Sequence, residues 1–512
     1  MTIAQNSLLL RFFAAFWTGL CRCWEGSGLR RFLDALERRA KALARGSALC
    51  RFVWRDGAVV ASWPESLSCR IFTALVNLPC TFAKWLYRVG KGLWDGSLVF
   101  RFCSALGGKT YVFLGLFLLV MLVAPHGIWN NLYNVAGAVA VTALFLLGSA
   151  TRPKYRLELD RLGPWYLLFM GFICYGLVGS LSPSMSLRYF LFHAGCFLVV
   201  LLVVSSVEKV GQLQTLVVIA VAGITVAALY GCYQGWQGVE VVASFQDPIL
   251  NAGMPGRVYS FFDNPNNFAE MLAMLTPFLL ALFLNAKGWR GKVLALFALA
   301  VCLAAIGLTL SRSSWIGLAL AVVVFLALWN WRFVPAFLLL GVCALPLLPD
   351  FILNRIGTIG DMRDTSTLYR FAIYDATANL MEDYGIRGVG LDPDVMRQVF
   401  KVYPTMYDGN YPIHTHNNYL QMWGELGLLG GLSYVAVLLS QLKQGVKRFY
   451  SSDDRPVKNL LAAAIGGFVG IMVVGLAEYT WFYPRNMFIY WFLFGVIAAC
   501  IKLAGKGSAE RT

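Results

Sequence analysis

Two of the chain's four histidines, His414 and His416, stand close together in the run His-Thr-His-Asn-Asn. A neutral imidazole can accept a proton from a hydroxyl group near neutral pH, so either histidine could act as a general base. Asn417, Gln421 and Glu425 follow at intervals of four residues and share one face of a helix that begins near Asn417. Polar side chains within an apolar helix normally face a cavity or a neighbouring helix. Gln421 and Glu425 therefore either line a site or hold helices together by hydrogen bonds.

Several arginines stand at the ends of apolar stretches. Arg257 precedes the pair Asn264-Pro265, which is typical of a helix N-terminus, and Asn267 follows in the same run. Free amides at that helix start, beside Arg257, could bind an anion, or the asparagines could simply cap the helix. Arg312 lies between two apolar stretches, where it could bind a ligand or only reach lipid head groups. Arg370 lies in a helix-compatible stretch. Such arginines suit a pyrophosphate, because guanidinium groups pair bidentately with phosphate oxygens.

The motif Asp392-Pro-Asp394 has a form that could hold a divalent ion between carboxylates. Asp before Pro is also an ordinary helix start, and we favour that interpretation. Neither a phosphate-binding glycine loop nor a dinucleotide glycine pattern occurs in the sequence, so nothing indicates a nucleotide donor. We therefore predict a site that uses no metal and no cofactor.

The composition identifies the elements that must position these residues. Of 512 residues, 58% are hydrophobic and 14% are charged, and the mean hydropathy is +0.63, which excludes an ordinary soluble enzyme. A helix needs about 20 apolar residues to cross a bilayer. We predict an all-α polytopic membrane protein with about 12 transmembrane helices and a large external loop between helices 9 and 10. The predicted spans are 111–124, 132–150, 165–181, 189–204, 211–231, 266–285, 292–310, 313–330, 333–348, 418–440, 459–477 and 487–503.

Lysine and arginine residues predict the orientation, because cytoplasmic segments carry an excess of them. The formal net charge is +16, which we attribute to the membrane and not to a nucleic acid. The predicted outer side still carries ten Lys and Arg residues, and six of them lie in the segment 349–417. These residues need another reason, such as an anionic ligand. We predict four segments, with both termini in the cytoplasm. They are a basic region at 1–108, helices 1–9 at 109–348, an external catalytic loop at 349–417, and helices 10–12 with the tail at 418–512.

The first 108 residues have a repeated pattern of their own. A serine is followed four residues later by an arginine at Ser7, Ser27, Ser47, Ser66 and Ser97, mostly in steps of 19 to 20 residues. Each serine is placed as a helix N-cap before an amphipathic stretch. We predict short basic helices that lie on the inner leaflet, either as a simple membrane anchor or as a docking surface for a cytoplasmic partner.

Six stretches together resemble the O-antigen ligase and polymerase superfamily of bacterial membrane glycosyltransferases. The order of these stretches, together with the twelve predicted spans and the large loop, means that the resemblance covers roughly residues 110 to 505. Residues 1–108 lie outside it. The stretches are Phe262-Asp-Asn-Pro-Asn-Asn267, Leu310-Ser-Arg-Ser-Ser314, Tyr369-Arg-Phe371, Gly388-Val-Gly-Leu391, His414-Thr-His-Asn-Asn-Tyr-Leu-Gln421 and Gly424-Glu-Leu-Gly-Leu-Leu-Gly430.

The resemblance implies a GT-C-like fold and an inverting, metal-independent reaction. A glycan would pass from an undecaprenyl pyrophosphate carrier to an acceptor sugar hydroxyl at the outer face of the bacterial inner membrane. His416 matches the histidine that activates the acceptor, and the neighbouring Asn417 favours it over His414. Arg257 and Arg370 match arginines that engage the donor pyrophosphate, and Arg312 matches a Ser-Arg pair of the family. The residues expected to support these are His414, Asn417, Asn267, Gln421 and Glu425.

Three other functions stay open on the sequence alone. A polymerase would use a second lipid-linked repeat as acceptor, whereas a ligase would use a glycolipid, and no acceptor signature is visible. A transporter is a further alternative, although transporters more often break paired helices near the middle of the membrane. A purely structural scaffold is suggested only by the N-terminal repeats. The expected partners are the lipid-linked donor, a glycan or glycolipid acceptor and membrane lipids, with a cytoplasmic protein at residues 1–108 as the alternative to a simple membrane anchor.

Overall fold

The computed structural model describes residues 8–242, 245, 253–360, 365–405 and 411–509. Within these ranges the chain consists of α-helices, short 3-10 turns and connecting loops, without a β-strand. The prediction of an all-α polytopic membrane protein is confirmed. The chain divides into two compact units, Met1–Ala61 and Ser62–Thr512.

The first unit contains the predicted amphipathic helices. A serine caps two of them, because Ser27 Oγ accepts a hydrogen bond from Arg30 N at 3.0 Å and Ser47 Oγ accepts one from Cys50 N at 3.2 Å. These N-caps confirm the prediction for two of the five repeats, while Ser7 lies outside the described residues. The helices are α1 (Leu8–Gly26), α2 (Gly28–Gly46) and α3 (Ala48–Trp54), and α4 (Ala58–Ser62) runs to the boundary.

In the second unit, the same cap recurs at Ser66 and Ser97, whose hydroxyls accept from the backbone N–H three residues later. Each described copy of the serine repeat therefore marks the start of a helix. The helices here are α5 (Leu67–Val76), α6 (Leu78–Val89), α7 (Lys91–Gly96), α8 (Leu98–Gly107), α9 (Thr110–Val123), α10 (Leu132–Ala150), α11 (Pro164–Val178), α12 (Pro183–Ser206), α13 (Val210–Gln237), α14 (Pro265–Leu275), α15 (Pro277–Asn285), α16 (Trp289–Leu308), α17 (Arg312–Asn330), α18 (Phe333–Ala344), α19 (Asp350–Gly357), α20 (Thr365–Tyr384), α21 (Pro393–Phe400), α22 (Asn418–Ser451), α23 (Arg455–Val474) and α24 (Pro484–Ala509).

All twelve predicted apolar stretches form helices, but they differ in length. Nine spans in the described part of the chain are long and apolar enough to cross a membrane, with α14 and α15 forming one of them. The helix α9 has 14 residues, or about 21 Å, and joins α8 at an angle of 76°, which gives a tenth span if the pair counts as one. The helices α11 and α18 are shorter than a full crossing. The count of twelve stays a prediction.

Small residues bring α17 and α23 into close contact. A Cβ on Gly317 would lie 3.0 Å from Gly470 O, and one on Gly466 would lie 2.5 Å from Ala321 O. Such packing of small residues is typical of helices in membranes, where close contact between backbones drives helix association in place of the hydrophobic effect. The contact fixes the position of α17, whose first residue is Arg312.

The helix α22 is broken at Gly427, which has φ 74° and ψ 176°. A loop packs into the break: Val389 N donates to Gly424 O at 2.8 Å, and Gly390 N donates to Glu425 O at 3.0 Å. Carbonyls released by the break are thus satisfied inside the protein, as a membrane environment requires. The glycine runs that begin at Gly388 and Gly424 therefore form one structural unit, which joins the first turns of α22 to the loop between α20 and α21.

Candidate active site

Three charged or titratable side chains meet at one end of the second unit. His416 lies in the loop before α22, Arg370 on α20, and Glu478 in the turn after α23. Glu478 Oε2 lies 3.2 Å from His416 Nδ1, and Glu478 Oε1 accepts a hydrogen bond from Arg370 Nη2. Arg370 Nε also donates to Ala477 O at 2.9 Å. The carboxylate thus joins the predicted base to a predicted phosphate-binding arginine.

The charge state of Glu478 follows from its neighbours. Its side chain is only 8% exposed, and burial alone would raise its pKa. The positive charge of Arg370 and the hydrogen bond from His416 outweigh burial and lower the pKa from 4.5 to about 2. Glu478 is therefore ionised at neutral pH and can only accept hydrogen bonds.

The ionised carboxylate sets the tautomer of His416. Because Glu478 accepts, His416 Nδ1 must carry a proton, and Nε2 is the nitrogen that can take another. The backbone of His416 lies in the left-handed region with φ 49°, an uncommon conformation for a residue other than glycine. Its ring is 29% exposed, so an incoming hydroxyl can reach it.

His414 has a different environment. Its Nδ1 accepts a hydrogen bond from His416 N at 3.2 Å, so that nitrogen carries no proton. Its ring packs against Phe482, with centroids 4.7 Å apart, and against Tyr479 at 5.7 Å. Burial among these rings, followed by the neighbouring His416, lowers the pKa of His414 well below its ordinary value. His414 is thus a neutral group that supports the backbone of His416.

Three more arginines surround this group. Burial and the positive charges of Arg355, Arg312 and Arg370 together lower the pKa of Arg257 to about 9, while Glu478 acts in the opposite direction. The effect shows that the guanidinium groups lie within electrostatic range of one another. Arg257 is still protonated at neutral pH, because its lowered pKa remains above 7. The site therefore has a strongly positive field beside His416.

The arginines are held by backbone carbonyls at the junction of α16 and α17. Arg257 Nε donates to Thr309 O at 2.7 Å, and Arg355 Nε donates to Leu310 O at 3.2 Å. Arg312 Nη1 donates to Thr358 O at 2.8 Å, which ties α17 to the end of α19. The predicted residues Arg257, Arg312 and Arg370 thus lie within electrostatic range of one another.

The polar face of α22 positions the histidine loop. Asn417 is the N-cap of α22, as predicted, because its Oδ1 accepts from Tyr419 N at 2.9 Å. The buried Gln421 accepts from Thr415 N at 3.0 Å and donates to Glu425 Oε1 at 2.7 Å. Gln421 and Glu425 therefore hold the backbone next to the base, and they face inward as the spacing predicted.

Asn267 belongs to a neighbouring polar group. Asn264 caps α14 and Pro265 is its first residue, which confirms that predicted start. Asn267 Nδ2 donates to Asp263 Oδ1 at 3.2 Å, and Asn267 O accepts from Asn486. These bonds join α14 to the start of α24, so the described contacts of Asn267 are structural.

Asp392 acts as a helix cap, which confirms the favoured interpretation. Its Oδ1 accepts from Asp394 N at 2.9 Å at the start of α21. Arg188 also pairs with both carboxylates, at 2.8 Å from Asp392 Oδ1 and 2.6 Å from Asp394 Oδ2. Among the described residues, no group of three or more His, Cys, Asp or Glu side chains could hold a metal.

Sequence reasoning missed two members of the site, Glu478 and Arg355. Glu478 is an isolated acid just after an apolar span, and its partner His416 lies 62 residues away in the chain. Arg355 was one of ten outer basic residues with no distinguishing motif. The position of an acid at the end of an apolar span was the available signal, because such a group needs a cationic partner.

A family model described as O-antigen ligase matches residues 295–435. The matched range runs from α16 into α22 and includes Arg312, Arg355, Arg370 and His416, whereas Arg257 and Glu478 lie outside it. No curated protein matches the sequence.

Proposed function

We propose that this chain, whose residues 295–435 match the O-antigen ligase family model, is a member of the O-antigen ligase and polymerase superfamily and transfers a glycan from an undecaprenyl-pyrophosphate-linked donor to an acceptor sugar hydroxyl. The observation that carries the proposal is the contact of Glu478 with both His416 and Arg370. This contact supports the proposal because glycosyl transfer to a hydroxyl needs a base beside cationic groups, and His416 and Arg370 could supply them.

The reaction is a single displacement. The acceptor oxygen forms a bond to the anomeric carbon while the bond from that carbon to the pyrophosphate oxygen breaks. His416 Nε2 takes the hydroxyl proton, and the resulting imidazolium is stabilised by ionised Glu478 through Nδ1. The pyrophosphate leaves with its electron pair on the side opposite to the attack, so the anomeric configuration is inverted.

The arginines stabilise the leaving group. Negative charge grows on the pyrophosphate as the bond breaks, so fixed cations favour the transition state over the ground state. Arg370 is linked to His416 through the shared Glu478, while Arg257 and Arg355 are buried and act mainly through their field. This arrangement supports a reaction that needs no metal ion.

The orientation of the site is also part of the proposal. The lysine and arginine bias assigns the site end to the outer face of the bacterial inner membrane. Exposed aromatic side chains at the end of α13, among them Tyr233 and Trp236, fit an interfacial position at that end. Residues 349–417 would then be the external catalytic loop of a GT-C-like enzyme.

The test is transfer by the purified full chain in lipid nanodiscs, given a lipid-linked oligosaccharide and candidate acceptors. We expect His416→Ala to abolish transfer while expression and donor binding persist, and His126→Ala, which alters an exposed histidine of the described surface, to be the matched control. Unchanged product from H416A would remove His416 from the mechanism.

The same assay separates the ligase from the polymerase. A tagged glycolipid acceptor identifies a ligase, and a lengthened lipid-linked chain identifies a polymerase. Absence of both products from the wild-type protein in nanodiscs, together with movement of the donor across the bilayer when the protein is reconstituted in sealed vesicles, would favour transport instead.

A further inference from the structure

A cavity of about 500 Å³ lies at the other end of the second unit. The helix α10 connects the two ends: it starts beside Trp129, which stacks on Arg485 near the site, and it ends at Ala150, just before the cavity wall at Pro153. With 19 residues, α10 is about 28 Å long. The cavity is therefore separate from the candidate active site.

The cavity is built where the fourth N-terminal repeat packs against the loop between α10 and α11. Asn77 and Leu157 exchange two hydrogen bonds of 2.8 Å. Lys84 Nζ donates to Tyr155 O at 2.6 Å and to Pro153 O at 2.9 Å. These bonds fix both walls, so the cavity is a built feature of the fold.

The lining of the cavity is basic. Arg70, Lys84 and Arg156 contribute three positive charges, and Asp160 is the acidic residue of the lining. Arg156 Nη2 donates to Asp160 Oδ2 at 2.9 Å, which neutralises one of the cations. Threonine hydroxyls and the exposed guanidinium of Arg70 complete the polar part of the surface. Arg70 and Lys84 remain as the two uncompensated cations of the lining, and they suit an anion with several acceptor oxygens.

We infer that this cavity binds a phosphate group, and that the phosphate is carried by an anionic phospholipid of the surrounding bilayer. Basic recesses beside membrane helices are suited to lipid head groups, because the cations attract the phosphate while the acyl chains stay in the bilayer. Arg70 is the arginine of the fourth serine-arginine repeat. The inference gives that repeat a specific ligand, and it does not depend on the glycosyl-transfer proposal.

The fifth repeat offers a matched control. Arg101 occupies the same repeat position as Arg70 and is exposed, but it does not line the cavity. A general attraction between basic repeats and anionic lipid would be weakened equally by loss of either arginine. A specific site would be weakened only by loss of Arg70.

The test uses the full-length protein in a non-ionic detergent and native mass spectrometry with dihexanoyl phosphatidylglycerol. Dihexanoyl phosphatidylcholine, whose head group has no net charge, is the comparison lipid. We expect wild type to bind phosphatidylglycerol more tightly than phosphatidylcholine, R70Q to lose about fivefold in that affinity, and R101Q to match wild type. R70K keeps the charge and should retain most of the affinity.

Competition by inorganic phosphate identifies the source of the phosphate. Displacement of the lipid by millimolar phosphate would mean that a soluble phosphate suffices, and resistance would mean that the lipid glyceride contributes; both results support a phosphate site. Equal binding of the two lipids, unchanged affinity in R70Q, or an equal loss in R101Q would overturn it. A Tm for R70Q equal to that of wild type, measured alongside, shows that the variant is folded.

Discussion

The contact between Glu478 and His416 gives the sharpest prediction, the effect of Glu478→Gln. Glutamine keeps the shape of the side chain but removes its charge. It can also donate to His416 Nδ1, which would move the imidazole proton to Nε2 and leave no nitrogen free to take the acceptor proton. Arg370 would lose its ionised partner in the same step. We therefore expect catalysis to fail while the fold survives.

The magnitude follows from the pKa of Glu478. The difference between its ordinary value of 4.5 and about 2 corresponds to about 3 kcal/mol of preference for the carboxylate in this environment. Arg370 and His416 share that preference, so loss of the His416 share for the imidazolium would slow the reaction by about ten- to a hundredfold. The wrong tautomer adds to this, so we expect kcat to fall by about 10² to 10⁴.

The assay is single-turnover transfer in nanodiscs with saturating donor and acceptor, which separates chemistry from binding. Glu382→Gln is the control, because Glu382 is an exposed acid on the same helix as Arg370. We expect E382Q to transfer at the wild-type rate. A rate for E478Q within about threefold of wild type would refute the role of Glu478, because a lost base costs about 10² or more.

Stability provides an independent measurement on the same variant. Because the folded-state pKa of Glu478 is lowered, its charge contributes stability that is fully present above about pH 4.5 and is lost as the pH falls towards 2. Acidification from pH 7 to pH 3 should therefore lower the Tm of wild type more than that of E478Q. Parallel curves would show that the carboxylate is not stabilised by His416 and Arg370 as the geometry indicates.

Two further predictions concern the leaving group and the broken helix. Arg370→Ala should weaken binding of the lipid pyrophosphate by about tenfold or more in a direct binding measurement, with Arg397→Ala on the surface of α21 as control, and equal affinities would exclude Arg370 from that role. Gly388→Ala should lower stability by about 1–3 kcal/mol, because Gly388 has φ 77° and a Cβ there would lie 2.5 Å from Glu425 O. Gly171→Ala meets open space in α11 and should leave the Tm nearly unchanged.

The helices could be predicted because their signals are local. Apolar runs mark the spans, and a serine or asparagine marks where a helix begins, as at Ser66, Ser97 and Asn417. The number of spans is harder to predict than the helices themselves, because the run 333–348 has the composition of a crossing but forms α18, a helix of only 12 residues. The length of an apolar run does not show where a turn ends the helix early.

The site could be predicted only in part, because its contacts are not local. His416 was recognisable from its motif, and Arg370 from its resemblance to a family position. Their link through Glu478 was not, since it joins residues 62 and 108 positions apart and carries no periodic signal. The glycine runs at Gly388 and Gly424 were recognisable as motifs, but the structure was needed to see that one fills the break beside the other.

The position of Glu478 explains why these parts must act as one unit. A carboxylate enclosed at the edge of a membrane span is unfavourable unless it is paired, and Arg370 and His416 supply the pairing. Removal of Arg370 or His416 leaves a buried charge uncompensated, so the measured loss of activity includes the response of the remaining residues. The losses of activity caused by substitutions at residues that share one charge are therefore not additive. The double variant of His416 and Glu478 should lose little more activity than H416A alone. A sum of the two single losses would instead mean that the carboxylate and the base act in separate steps.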